Sequence, residues 1–217
     1  TVAMDVADTD GCITLLEKAN KEFGQIDVLV NNAGMHSRGD LESIDATDVG
    51  AMVDINLRAP FILSCAAIPY LKKSVPGAIV MVGSLAGMAP LQGAATYSGT
   101  KSGLRAFTYA ISDELRDTGI HVGLVSPGPI DTGFIMTEID KVEDIVFSQP
   151  MSNTKEVADA IVRIAKGDAV EITMPASSGK LVTLSYLFPA LRRLLRPTLY
   201  KKGRKNKDKY RNRSFSN

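Results

Sequence analysis

The sequence of 217 residues contains no tryptophan, two cysteines and two histidines. Cys12 and Cys65 fall in different predicted helices, which favours two small, buried, unpaired residues in a reducing compartment over a disulfide. His36 and His121 lie far apart in the sequence, and their surroundings indicate no metal site. We expect His121 to be structural, whereas His36 lies either in a solvated loop or at the border of a substrate pocket.

Long apolar runs are also missing, since no secretory signal and no stretch of 18 or more uncharged apolar residues is present. This predicts a cytoplasmic location.

Charge is unevenly distributed: residues 192–217 carry 11 Lys and Arg against one acid, Asp208. The preceding residues carry 14 basic and 23 acidic side chains, a net charge of −9. The pattern therefore predicts an acidic body with a basic tail.

Apolar runs rich in Val, Ile and Leu alternate with helical patterns along most of the chain. Such alternation is typical of an α/β fold in which helices cover both faces of a parallel sheet. The predicted strands are 2–4, 26–31, 78–83, 120–126 and 169–173. The predicted helices are 9–23, 45–73, 94–118, 154–166 and one near 180–195.

Three polar side chains indicate proton transfer. Tyr97 and Lys101 are four residues apart in a predicted helix and so share one face, while Ser84 ends the preceding apolar strand. A neighbouring ammonium lowers the pKa of a phenol, which would bring Tyr97 closer to working pH. Such a tyrosine can give a proton to a carbonyl oxygen or take one from an alcohol. The structural alternatives are a half-buried tyrosine, an exposed lysine and a serine that caps a turn.

Three further motifs accompany this cluster. The turn 31–34 (Asn-Asn-Ala-Gly) follows one predicted strand, Asn56 lies in the next helix, and the segment 127–132 (Pro-Gly-Pro-Ile-Asp-Thr) follows a later strand. In this order and spacing, the motifs make residues 1–175 resemble the short-chain dehydrogenase/reductase family. The resemblance implies a Rossmann-like, doubly wound parallel sheet. It also implies reversible hydride transfer between NAD or NADP and a carbonyl/secondary-alcohol pair.

The same resemblance implies roles for individual residues. Tyr97 would be the general acid and base, Lys101 would bind the nicotinamide ribose hydroxyls, and Ser84 would donate a hydrogen bond to the substrate oxygen. Asn56 would complete a Ser-Tyr-Lys-Asn proton relay by anchoring a water. The residues implied in cofactor binding are Asp5, Val6, Asn31, Ala33, Gly34, Tyr97, Lys101, Pro127, Gly128, Ile130 and Thr132.

Pro60 supports the role of Asn56 independently of the resemblance. A proline lacks the N–H that would bond to the carbonyl four residues earlier, and its ring crowds that carbonyl. We therefore predict a kink in this helix that leaves the Asn56 carbonyl free to hold a water. An ordinary, tolerated helix asparagine is the alternative interpretation.

A glycine-rich phosphate turn does not precede Asn31, although the family carries one after its first strand. We therefore expect a domain that is truncated at its N-terminus, begins at the family's third strand and lacks on the order of 30 to 60 residues. The strand 2–4 would then have no neighbour, and one edge of a buried strand would lie open. The residues that distinguish NAD from NADP belong to the missing part.

Residues 133–150 are largely apolar and are predicted to form a flap over the substrate, which favours a hydrophobic ketone or alcohol. Ordinary helix packing is the alternative for these residues. Residues 176–217 are predicted to form an amphipathic helix and a basic tail. Within them, 181–213 could lie on an anionic membrane surface, or the helix could dock on the sheet or on a subunit partner. No nucleic-acid-binding motif accompanies the basic tail.

The sequence thus predicts a homo-oligomeric oxidoreductase that acts on a small-molecule carbonyl or alcohol and uses NAD or NADP. The alternative is a non-catalytic, headless relative that serves as a binding or membrane-associated module. This alternative follows from the absence of half the cofactor site from the sequence.

Overall fold

The computed structural model describes residues 1–214, which form an α/β structure. The strands are β1 (Val28–Asn31), β2 (Gly77–Val82), β3 (Ile120–Pro127) and β4 (Glu171–Met174). The helices are α1 (Thr9–Phe23), α2 (Ala46–Val53), α3 (Ala59–Leu71), α4 (Ala95–Glu114), α5 (Gly133–Met136), α6 (Thr154–Ala165), α7 (Ala176–Leu187) and α8 (Pro189–Ser214). Short 3-10 turns occupy Leu41–Ser43, Leu85–Gly87, Ile139–Lys141 and Asp144–Ser148.

The four strands form one parallel sheet in the order β1-β2-β3-β4. On one face, Ile79, Met81 and Leu124 pack with buried side chains of α1, α3 and α4. On the other face, Val80 and Val125 pack against α6. Burial on both faces explains why β2 and β3 are continuous apolar runs rather than alternating ones. The predicted α/β fold with a parallel sheet covered on both faces is confirmed.

The predicted strand 2–4 is wrong, because residues 1–5 adopt no regular structure before α1. A strand needs a partner for its backbone hydrogen bonds, and β1 lies at the edge of the described sheet. The side chains of Val28 and Val30 on this strand are 44% and 39% exposed. The predicted open edge is therefore confirmed, at β1.

The disruption predicted at Pro60 takes the form of a π-helical turn, Asp54–Arg58, between α2 and α3. The N–H of Ala59 bonds to the carbonyl of Asp54, five residues back. Because the proline cannot supply the usual bond to Asn56, the wider turn carries the helix past it. The continuous stretch Ala46–Leu71 is long and apolar enough to cross a membrane by length and composition. Since Asn56, Leu63, Ala67 and Leu71 are buried within the protein, we assign this stretch to the core of the fold.

The C-terminal region differs from the prediction of one short helix followed by a tail. Residues 176–187 and 189–214 form two helices, and α8 continues through most of the basic segment. The positively charged residues of α8 can remain helical because α8 docks on the acidic segment 138–148. Lys207 is only 6% exposed, donates to the carbonyl of Val142 at 2.6 Å and lies 3.3 Å from Asp144.

Further contacts extend this interface along α8. Arg204 bonds to Asp144 at 3.0 Å, Tyr200 donates to Glu143 at 2.9 Å, and Asn206 donates to the carbonyl of Phe147 at 3.0 Å. A Cβ on Gly203 would overlap the backbone carbonyl of Asp144, so only glycine allows this close approach.

The predicted flap, 133–150, is built from α5 and two 3-10 turns. Its buried apolar side chains Ile135, Val142 and Phe147 form a cluster of their own, against which Tyr210 of α8 packs. These apolar side chains therefore pack within the protein, which agrees with the alternative interpretation of ordinary helix packing. Both cysteines are unpaired as predicted, although Cys12 is buried and Cys65 is exposed.

We predict that Gly203→Ala destabilises the docking of α8, because the added methyl group must displace a backbone carbonyl. Overpacking of this kind costs about 1–3 kcal/mol, which urea denaturation would measure. The control is Gly50→Ala in α2, where a Cβ meets nothing within 4 Å. That change should be neutral or stabilising by up to about 1 kcal/mol. Equal stability of the two variants would contradict the tight packing at Gly203.

Candidate active site

The predicted catalytic side chains meet at the carboxyl ends of the parallel strands. Ser84 follows β2, and Tyr97 and Lys101 come from the first turns of α4. The approach of α4 to this edge is close, because a Cβ on Gly87 would lie 2.6 Å from the carbonyl oxygen of Lys101. Ser102 also donates to the carbonyl of Gly87 at 2.9 Å. The loop after β2 and the start of α4 therefore pack as one unit.

Ser84, Tyr97 and Lys101 form a connected group. The Ser84 hydroxyl is hydrogen-bonded to the Tyr97 phenol, and it also accepts from the N–H of Ala86 at 3.1 Å. The Lys101 ammonium lies 5.8 Å from the centroid of the Tyr97 ring. It donates to the carbonyl of Val82, at the end of β2, at 2.8 Å. The two helix residues share a face as predicted, and Ser84 both caps a turn and reaches the phenol.

The pKa of Tyr97 is raised, not lowered as the sequence predicted. Burial of the phenol is the main cause, and it outweighs the hydrogen bond with Ser84 and the positive charge of Arg38, which both lower the pKa. Burial also lowers the pKa of Lys101 to about 8. The Lys101 amine is directed to a carbonyl of β2. The Tyr97 phenol therefore keeps its proton more strongly than an ordinary tyrosine, and the Lys101 ammonium loses its proton more readily than an ordinary lysine.

The side chain of Asn56 holds the loop after β1 in place. Its Oδ1 accepts from the N–H of Met35 at 2.8 Å, and its Nδ2 donates to the carbonyl of Met35 at 2.8 Å. Nδ2 also lies 3.3 Å from the Thr100 hydroxyl. The side chain is fully buried. The π-helical turn thus presents an amide that pairs with the peptide groups of one loop residue and with α4.

The turn 31–34 lies against the same group. A Cβ on Gly34 would be 3.2 Å from Asn56 Oδ1 and 3.6 Å from Lys101 Nζ, so glycine leaves room beside both. Asn31 is buried and donates to the Ser64 hydroxyl and to the Met81 sulfur, each at 3.2 Å. These contacts brace β1 against its neighbours. Ala33 lies between these two residues in the turn.

The segment 127–132 follows β3 at the same edge of the sheet. Gly128 donates to the carbonyl of Met174 at 2.7 Å, Ile130 bridges to Ser152, and Thr132 precedes α5. Pro127 pairs with Met174 at the ends of β3 and β4. The segment leads from the sheet directly into the flap.

Asp5 and Val6 are placed differently, in the irregular segment before α1. The Asp5 carboxylate accepts from the N–H of Ala7 at 2.9 Å, and the Val6 carbonyl accepts from the Cys12 thiol at 3.3 Å. Their side chains and carbonyls are engaged locally, and these hydrogen bonds do not connect them to the Tyr97 group. Arg58 holds the segment in place through Thr9 at 3.0 Å and through the carbonyl of Ala7.

Two residues of the group carried no decisive signal in the sequence. The His36 ring stacks on Tyr97, with 4.2 Å between ring centroids and 11° between planes. His36 therefore packs against the Tyr97 ring rather than lying in a solvated loop. Arg38 has a side chain only 7% exposed; it donates to His36 Nδ1 at 2.9 Å and to the carbonyl of Phe134 at 2.8 Å. A charged residue after a glycine turn usually indicates a solvated loop, so nothing in the pattern marked Arg38.

The group fits the nicotinamide end of a dinucleotide. A lysine ammonium has three donors, of which the Val82 carbonyl takes one, so Lys101 can also bind ribose hydroxyls. Gly34 leaves space beside this ammonium. The residues preceding Asn31 supply no glycine-rich turn for the pyrophosphate. Among the residues that the structure describes, no cluster of three or more His, Cys, Asp or Glu side chains could hold a metal ion.

Comparison with known proteins agrees with this site. Residues 1–144 match the family model described as short chain dehydrogenase. The chain is 30% identical over 174 residues to the 3-oxoacyl-(acyl-carrier-protein) reductase FabG of Escherichia coli, covering 78% of this chain and 71% of that protein. It is 30% identical over 196 residues to the oxidoreductase BOA17 of Botryotinia fuckeliana, covering 90% of this chain and 70% of that protein.

Solved structures show the same relationship. A short chain dehydrogenase from Burkholderia cenocepacia in complex with NADP has a TM-score of 0.74 and 26% identity, covering 92% of this chain and 80% of that one. ElxO with NADP bound has a TM-score of 0.70 and 30% identity, covering 78% of this chain and 74% of that one. The chain therefore belongs to the short-chain dehydrogenase family, and the Rossmann-like fold expected from its motifs is confirmed.

The buried Lys101 makes a prediction about stability. Its pKa is about 8 in the folded protein against 10.5 ordinarily. Below pH 8 the proton is bound in both states, and the cost of burying the charge is present in full. Between about pH 8 and 10.5 the unfolded chain binds more protons, so the free energy of unfolding should rise with pH, by up to about 3 kcal/mol.

Urea denaturation from pH 7 to 10.5 would test this with Lys101→Met, which should lack this part of the rise. Lys18→Met on the exposed face of α1 is the control and should keep the profile of the unmodified protein. Parallel profiles for the protein and Lys101→Met would contradict the effect.

Proposed function

We propose that this protein is an oxidoreductase that interconverts a carbonyl group and a secondary alcohol on a small molecule, with NAD or NADP as cofactor. The observation that carries the proposal is the Tyr97 phenol, which is hydrogen-bonded to Ser84 and whose ring centroid lies 5.8 Å from the ammonium of the buried Lys101. Family membership and the NADP bound in two similar structures support the cofactor class. When bound, the nicotinamide supplies or accepts the hydride.

The residues themselves move and hold the proton. In reduction, the Tyr97 hydroxyl gives its proton to the substrate oxygen, and in oxidation the phenolate takes it back. Ser84 donates a hydrogen bond to the same oxygen as negative charge develops on it. The raised pKa of Tyr97 keeps the phenol protonated in the unliganded site, which suits reduction. Lys101 lies close enough to stabilise the phenolate after transfer.

Asn56 takes its part in this relay chiefly by holding the loop after β1 against α4. Both polar atoms of its side chain bond to Met35, which precedes the His36 ring on Tyr97. We propose Asp5, Val6, Asn31, Ala33, Gly34, Pro127, Gly128, Ile130 and Thr132 as the remaining cofactor contacts, as the family resemblance implies. Because the buried flap side chains pack on one another, a hydrophobic substrate is supported mainly by Phe134, which is 47% exposed.

Tyr97→Phe should lower kcat/KM for carbonyl reduction by at least about 10²-fold, because the ring remains but the transferable proton is lost. Affinity for NADPH or NADH, measured by fluorescence titration, should change little. Tyr186→Phe on the exposed face of α7 is the control and should retain full activity. The assay covers a panel of ketones and aldehydes.

The outcomes separate enzyme from binding module. Undiminished turnover in Tyr97→Phe would overturn the assigned role. Cofactor binding without turnover of any carbonyl or alcohol by the unmodified protein would favour the non-catalytic module. A folded protein that binds neither nicotinamide would favour a module without a dinucleotide.

We further infer that the elbow between α7 and α8 contacts an anionic membrane surface. Its large apolar side chains are unusually exposed: Leu187 at 65%, Phe188 at 56% and Leu194 at 75%. Arg193 and Arg196 are exposed beside them. A second copy of the chain would bring like charges together here, whereas acidic lipid headgroups would complement them. Three of the eight basic side chains beyond residue 200, Arg204, Lys207 and Arg211, pair with acidic residues of the segment 138–148. The proposed contact is therefore narrowed from 181–213 to the elbow, where exposed apolar and basic side chains lie together.

The double variant Leu187→Ser, Phe188→Ser should bind vesicles of phosphatidylcholine and phosphatidylserine at least about tenfold more weakly, since each buried apolar side chain contributes about 1.5–3 kcal/mol. Co-sedimentation at low and high salt measures this, and binding should fall with salt. Val162→Ser, at an exposed site on α6, is the control. Equal pelleting of the double variant, or self-association of the protein that this variant abolishes, would contradict membrane contact.

A further inference from the structure

We propose that His36 donates a hydrogen bond from its Nε2–H to a second oxygen of the substrate, next to the carbonyl handled by Tyr97. This rests on the proposed function and narrows its substrate class. The substrates would be carbonyl compounds that carry an additional hydrogen-bond acceptor, such as an ester, acid or hydroxyl oxygen. A purely hydrophobic ketone would lack the group that His36 recognises.

The tautomer of His36 follows from its partner. Arg38 Nη1 lies 2.9 Å from His36 Nδ1. A guanidinium only donates hydrogen bonds, so Nδ1 must be the acceptor. A neutral imidazole then carries its hydrogen on Nε2. The ring therefore presents a donor at Nε2, and its orientation is fixed by one identified contact.

That donor is buried and unused. Nε2 is inaccessible in the structure and has no hydrogen-bond partner among residues 1–214. An unsatisfied buried donor is unfavourable, and a ligand that accepts its hydrogen bond would remove this cost. The parallel stacking on Tyr97 places the imidazole at the proton-transfer site rather than elsewhere in the core.

The surroundings keep the ring neutral and in place. Burial and the adjacent Arg38 lower the pKa of His36 to about 3, so it stays uncharged across the physiological range. The other charged group facing this pair is Glu138, whose carboxylate lies 3.7 Å from Arg38 Nε. Asn56 clamps both peptide groups of the preceding residue, Met35. The donor is thus positioned by the fold before any substrate arrives.

His36→Phe tests this, because it keeps an aromatic ring on Tyr97 and removes the Nε2–H donor, together with the Nδ1 acceptor of Arg38. Two substrates of similar size are compared: a 3-oxo ester and the matching ketone without the ester. The variant should lose about 10- to 100-fold in kcat/KM on the oxo ester and little on the plain ketone. This result is a loss of selectivity between the two substrates. If the proposed function failed instead, the unmodified protein would turn over neither substrate, and Tyr97→Phe would have no effect.

A second measurement does not depend on activity. The side-chain nitrogen resonances of His36 in the unmodified protein should show the Nε2–H tautomer, with no titration between pH 5 and 9. An Nδ1–H tautomer, protonation within that range, or an equal effect of His36→Phe on both substrates would overturn the proposal. His121, whose Nε2 lies 3.1 Å from the carbonyl of Ala169, serves as the internal comparison in the spectrum.

Discussion

The close packing of α4 on the carboxyl end of β2 is the constraint from which the site follows. Gly87 lets the loop after β2 touch the backbone of Lys101, and the Lys101 ammonium in turn bonds to the last carbonyl of that strand. Once helix and strand are fixed in this way, Ser84 and Tyr97 meet without further adjustment. The chemistry therefore depends on a backbone contact that only glycine permits.

A largely buried carboxylate, that of Glu171, connects α4 to the last two strands of the sheet. Glu171 of β4 accepts from Arg105 and Tyr109 of α4 and from Ser126 of β3, and the shortest distance to each is 2.7 Å. Burial alone would raise the pKa of Glu171, but these hydrogen bonds together lower it. Because every donor is present, the charge ties β3, β4 and α4 together rather than destabilising them.

Sequence reasoning was sufficient for features encoded by local pattern. The apolar strands, the helix face shared by Tyr97 and Lys101, and the irregularity at Pro60 all depend on neighbours in the chain. It failed where distant residues decide the outcome. The strand 2–4 lacks a partner, the docking of α8 depends on acids some 60 residues earlier, and the raised pKa of Tyr97 reflects burial that spacing does not reveal. The pattern did not mark Arg38 for the same reason, since its side chain donates to the carbonyl of Phe134, 96 residues later in the sequence.

The docking of α8 on the segment 133–150 couples two parts of the protein that lie far apart in the sequence. Because α8 and the segment 133–150 share buried groups such as Lys207, the order of α8 is thermodynamically linked to the conformation of that segment. Proteolytic trimming, an affinity tag or a neutralising modification of lysines on this helix would therefore alter the segment 138–148, although each acts some 60 residues away in the sequence.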